Sequence, residues 1–176
     1  MGNITELSGL GASATVTLAL RLILEAQGQG DPGAWVTTRG RCFFPPDAEA
    51  NGLDLDALAV VRVQELHEIG KAADYLVRSG AFGVVVMDLG PEERLPERQL
   101  TRLLGLARKH GTAIICLTLK AEATPSLGGL VSMRAVVRLT RQGSGQYACE
   151  LVAVKDKRRP PGWRHKEDLG GPPGLC

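Results

Sequence analysis

Short uninterrupted apolar runs alternate along this chain with segments whose apolar residues recur every three or four positions, the pattern of a sheet with crossover helices. Ile4 to Ser8, Ala34 to Thr38, Leu58 to Val63, Gly83 to Asp88 and Ala113 to Leu119 read as strands buried on both faces. Thr15 to Gln27, Glu65 to Ser79 and Pro96 to His110 read as helices, with Gly28, Gly80 and Gly111 standing just past their ends, where a left-handed residue is preferred. After Leu130 the pattern changes. Met133 to Arg141 and Gln146 to Lys155 are strands joined by Gln-Gly-Ser-Gly, which predicts an antiparallel hairpin. From Lys157 to Cys176 the chain is rich in Pro, Gly and charge, so an irregular tail is expected there. The expected fold class is α/β, a mostly parallel twisted sheet flanked by helices, with one core domain over 1–156 and a basic tail over 157–176. Trp35, set in an apolar strand between Ala34 and Val36, predicts burial against a helix.

Composition narrows the picture only slightly. At 176 residues with a formal net charge of +2, the chain has the length of one domain and offers no global charge argument for nucleic acid or membrane. No apolar run reaches transmembrane length, and Met1-Gly-Asn leads directly into a strand with no signal peptide. Cys42, Cys116, Cys149 and Cys176 show neither CxxC spacing nor a disulfide framework, which fits a reduced, cytoplasmic compartment. His67, His110 and His165 assemble no metal or triad pattern, and His67 and His110 read as surface positions on helices. No metal or cofactor is expected.

The candidate chemistry lies in the first strand-to-helix turn. A phosphate-binding loop needs a glycine, four residues, a second glycine, then Lys and Ser/Thr. Gly9 fills the first position, but Ala14, Thr15 and Val16 stand at the other three. Thr15 cannot neutralise phosphate charge and Val16 cannot ligate magnesium. An ordinary turn capped by Ser13 or Thr15 accounts for the same residues.

The order of motifs resembles the core ATPase domain of the RecA recombinase family. Besides the loop, Gly52-Leu-Asp-Leu-Asp-Ala-Leu58 resembles the family's lead into its next strand, and Leu76 to Asp88 its following helix and acidic strand. Val152-Ala-Val-Lys-Asp-Lys157 resembles the late strand near the subunit interface. The resemblance implies a RecA-like core. It also implies a vestigial nucleotide site at Gly9, Ala14, Thr15, Val16, Arg39, Asp88 and Leu119. Arg39 stands where the family has its catalytic glutamate, and a cation cannot activate water as a general base. Leu119 replaces the glutamine that senses the terminal phosphate, and Asp88 keeps the magnesium-linked acidic position, where it equally suits a simple strand end.

The two loops that grip single-stranded DNA in the family are short here and carry no aromatic residue, so DNA binding is expected to be weak or indirect. No counterpart of the family's N-terminal arm precedes Ile4, which implies a sequence truncated relative to the family. Among RecA relatives with lost nucleotide motifs, the chain most resembles the ImuA proteins of damage-induced mutagenesis. That resemblance implies a non-catalytic accessory of translesion synthesis whose partners are RecA, an ImuB-like inactive Y-family polymerase and an error-prone replicative-type polymerase. A cell-division inhibitor of the SulA type and a weak RecA-like ATPase are the alternatives. Lys155, Lys157, Arg158, Arg159, Trp163 and Arg164 form the candidate partner-binding surface.

Overall fold

The computed structural model describes residues 2–11, 13–41, 43–91, 95–143 and 146–170. Eight strands form one sheet in the order β3-β2-β4-β5-β1-β6-β7-β8. They are β1 (Asn3–Ser8), β2 (Gly33–Thr38), β3 (Leu58–Val63), β4 (Val84–Gly90), β5 (Ala113–Thr118), β6 (Met133–Gly143), β7 (Gln146–Asp156) and β8 (Arg164–Gly170). The neighbours from β3 to β6 pair in parallel, and β6, β7 and β8 pair antiparallel. The expected mixed architecture with a C-terminal antiparallel hairpin is therefore present, and it matches a RecA-like core.

The period-two alternation of side chains divides each central strand between two helical layers. From β4, Val84 and Val86 face α1 (Thr15–Gly28), while Val85, Met87 and Leu89 face α3 (Ile69–Ser79) and α4 (Glu97–His110). Leu20 and Ile23 close the first layer over Trp35. Ile69, Ala73, Val77, Leu100, Leu103 and Ala107 close the second. Trp35 is buried as expected, 5.2 Å from the Phe43 ring, and its indole Nε1 is buried with no hydrogen-bond partner among the described residues. No helix among the described residues is long and apolar enough to cross a membrane.

Several local expectations are corrected. The segment after Lys157 is not irregular throughout: β8 pairs with β7 from Arg164 onward, Leu169 enters the core, and Arg21 of α1 meets Glu167 at 2.5 Å. α1 is capped by Ala14 rather than Ser13 or Thr15, and among the described residues no side chain caps its first N–H groups. It ends at Gly28 without a left-handed residue there. The positive φ falls on Gly30, whereas Gly80 and Gly111 are left-handed as expected. The segment read as one helix from Glu65 is a 3-10 turn (Leu66–Glu68) followed by α3. α2 (Pro45–Ala50) was not foreseen. Proline stands at its start, where a missing N–H costs nothing. Cys42, Cys176, and Ser144 and Gly145 of the hairpin connection lie outside the described residues. Cys116 and Cys149 are buried free thiols whose pKa values are raised by burial.

Candidate functional site

The open ends of the parallel strands enclose a cavity of about 410 Å³. The β1–α1 turn lines it with Gly11 and Ser13, the start of α1 with Thr15 and Val16, and the end of β5 with Leu117 and Thr118, followed by Leu119; Asp88 comes from β4, Gly40 and Arg41 from the turn after β2. Crevices at this end of an open parallel sheet are where such folds bind ligands. Four of the expected site residues, Thr15, Val16, Asp88 and Leu119, meet there. Gly9 and Ala14 are buried in the turn. A Cβ on Gly9 would crowd Ser13 and the Val137 carbonyl, so the glycine is a packing requirement. Arg39 is exposed and does not line the cavity.

Arg41 was missed by sequence reasoning and is the cation beside Asp88 in the cavity. Its Nε lies 2.8 Å from Asp88 Oδ1, while Asp88 Oδ2 accepts a hydrogen bond from Thr37 Oγ1 at 3.1 Å. The Arg41 Nε–H has no hydrogen-bond partner among the described residues, so its contact with Asp88 is an ion pair held by proximity. Gly90 makes room for it. That residue adopts a φ of 73° beside a register shift in β4, and a Cβ there would run into the guanidinium. A cation thus stands against the acidic residue of the cavity. Among the described residues, no three His, Cys, Asp or Glu side chains lie close enough to hold a metal.

A second polar centre lies beneath the loop 119–132. Glu6 of β1 is fully buried, accepting hydrogen bonds from Thr118 Oγ1 at 3.0 Å and the Leu127 N–H at 2.8 Å, with Lys120 Nζ at 3.2 Å and Arg134 Nε at 3.9 Å. Arg134, also buried, donates to Ser8 Oγ and to the carbonyls of Ala121, Glu122 and Thr124. Lys155 joins this clamp by donating to Ser126 Oγ at 3.1 Å and to the Gly128 carbonyl at 2.8 Å. Burial, then the charge of Lys157, lowers the Lys155 pKa against the opposing pull of Glu6. The ammonium expected to reach a partner is therefore committed to the chain's own loop.

The other residues of that expected surface behave differently. Lys157, Arg158 and Arg159 are exposed in the β7–β8 connection. Asp156 shapes it, accepting hydrogen bonds from the Arg158 N–H at 2.8 Å and the Trp163 indole at 2.9 Å, contacts that hold its pKa below the ordinary value. The Arg159 guanidinium lies 6.0 Å from the centre of the Trp163 ring, and Arg164 pairs with Glu150 at 3.2 Å. This is a structured basic loop.

The fold and cavity define the chain as an α/β protein with a RecA-like core. Its sequence agrees. It is 30% identical to RecA of Symbiobacterium thermophilum over 91% of this chain and 56% of that protein. It is 28% identical to RecA of Fusobacterium nucleatum (91% and 52%) and 26% identical to RecA of Aquifex aeolicus (99% and 61%). The chain is RecA-like over most of its length, and it spans between 52% and 61% of the length of these curated relatives. No protein-family model matches it.

Proposed function

We propose that this chain is a RecA-like accessory protein that works without nucleotide, of the ImuA kind, in damage-induced translesion synthesis. The observation that carries the reading is the Arg41–Asp88 ion pair, which sets a cation against the one carboxylate that lines the cavity among the described residues, where a metal-bound phosphate would need it. Thr15 and Val16 at the N-terminus of α1 add neither a counter-charge nor a metal-binding hydroxyl at the expected positions. The backbone N–H groups there can still attract an anion weakly.

On this reading the partners are RecA, an inactive Y-family polymerase homologue and an error-prone replicative-type polymerase, and the protein limits the RecA filament by offering one competent face. Lys157, Arg158 and Arg159 supply a basic surface for that contact, on a connection whose backbone the Asp156 hydrogen bonds already shape. The test is co-precipitation with RecA, with and without single-stranded DNA, comparing the wild type with Arg158→Glu/Arg159→Glu. Salt-sensitive capture by the wild type that is lost in the variant is expected; absence of capture under every condition would reject RecA as a partner.

A further inference from the structure

The helical layer over α3 and α4 carries a second cleft, far in sequence from the strand-end cavity. Ile69, Ala73 and Val77 seat α3 on the sheet, which turns Lys71, Tyr75 and Arg78 outward. Leu100, Leu103 and Ala107 do the same for α4 and leave Arg102 exposed. Gly70 allows close approach, because a Cβ there would strike the Gln99 side chain. Between the helices remains a cavity of about 260 Å³ lined by Lys71, Asp74, Tyr75, Arg78, Gln99 and Arg102.

Asp74 is 8% exposed and sits among these cations. It accepts hydrogen bonds from Arg78 one turn along α3 and from both Nε and an Nη of Arg102 across the cleft. Burial alone would raise its pKa, but the hydrogen bonds and charges of Arg102 and Arg78 outweigh that and hold the carboxyl ionised. Arg102 is correspondingly raised by Asp74. Each guanidinium has five N–H donors, and Asp74 is the sole hydrogen-bond partner of Arg78 and Arg102 among the described residues. Free donors therefore remain on two arginines whose positions are already fixed. The Arg78 guanidinium lies 5.7 Å from the centre of the Tyr75 ring, and Tyr75 is 73% exposed. Three cations against one carboxylate leave an excess of positive charge.

We infer that this cleft docks an acidic segment of a protein partner, its carboxylates meeting Arg78, Arg102 and Lys71 and an apolar side chain lying on Tyr75. Arginine and tyrosine are the residue types that concentrate binding energy at interfaces, and Asp74 has ordered the arginines before any partner arrives. Guanidinium groups pair with carboxylates in bidentate geometry. Nucleic acid fits less well: there is one ring rather than a succession of stacking surfaces, and a carboxylate lies in the floor. The inference is independent of how the strand-end cavity is read.

The experiment is fluorescence anisotropy of the full chain with a labelled peptide of glutamates around one phenylalanine. The controls are its glutamine counterpart and an oligothymidylate of similar charge. Tyr75→Ala and Lys71→Glu alter exposed side chains outside the Asp74 pairs, and unchanged melting curves establish that both variants fold. Saturable, salt-sensitive binding of the acidic peptide is expected, weakened about 10-fold or more in each variant and absent for the glutamine peptide. No saturable binding, equal affinity in wild type and variants, or tighter binding of the oligothymidylate would overturn it.

Discussion

Arg41 Nε stands 2.8 Å from Asp88 Oδ1, across a glycine whose missing side chain makes the approach sterically open. Arg41→Ala leaves Asp88 buried with Thr37 as its remaining side-chain partner. Because the Arg41 side chain is partly exposed and Asp88 keeps Thr37, the cost is that of an under-satisfied buried acceptor, about 1–3 kcal/mol, and chemical denaturation should report a loss of that size. Asp88→Asn/Arg41→Ala should recover part of it. Equal stability of Arg41→Ala and wild type would show that the pair is only incidental.

The buried Glu6–Arg134 centre carries the strongest stability expectation. Arg134→Met frees three loop carbonyls and takes from Glu6 the more distant of its two cations, leaving it Lys120 at 3.2 Å. Removing one member of a buried ion pair costs roughly 3–5 kcal/mol. The double variant Glu6→Gln/Arg134→Met should be more stable than the sum of the single losses implies. Hydrogen exchange should rise first in 120–131; protection unchanged there would mean the clamp does not order the loop.

Trp35→Ala should destabilise the domain by about 3–5 kcal/mol, since it empties a large buried site beside Phe43. Trp35→Phe should cost much less, because it also removes the unpaired indole N–H. Identical losses for the two substitutions would contradict the packing described.

Asp74, Glu150 and Asp156 all have lowered pKa values in the fold. At acid pH the unfolded chain therefore binds more protons, and stability rises with pH. The contribution is complete above the ordinary carboxylate value of about 4 and is lost as pH falls through the lower folded values. Denaturation measured at several pH values should show this slope, and Asp74→Asn should flatten it. A variant profile parallel to that of the wild type would contradict the Asp74 assignment.

The strands β1 to β5 and the helices α1 and α4 were legible because each keeps one period across its length. α2 was not, since six residues beginning with two prolines give no helical repeat. β8 was hidden by its charge: Arg164, His165, Lys166 and Asp168 are exposed along it, and Leu169 alone among its described side chains enters the core. Glu6 and Arg134 lie inside apolar runs that mask them, their pairing being a contact over more than a hundred residues of chain. The strand-end cavity was half visible. The turn after β1 could be read from motif spacing and Asp88 from the resemblance, but Arg41 reaches the cavity only because the turn after β2 folds over Gly90. Arg39, expected at the family's catalytic-glutamate position, is exposed two residues before Arg41 and does not line the cavity.

The most direct test of a RecA-like domain that works without nucleotide is calorimetric titration of the purified chain with Mg-ATP. No saturable binding below about 1 mM is expected, a free energy no stronger than about −4 kcal/mol. A dissociation constant near 1 μM, about −8 kcal/mol, would contradict it and restore the chain to the nucleotide-binding members of its fold.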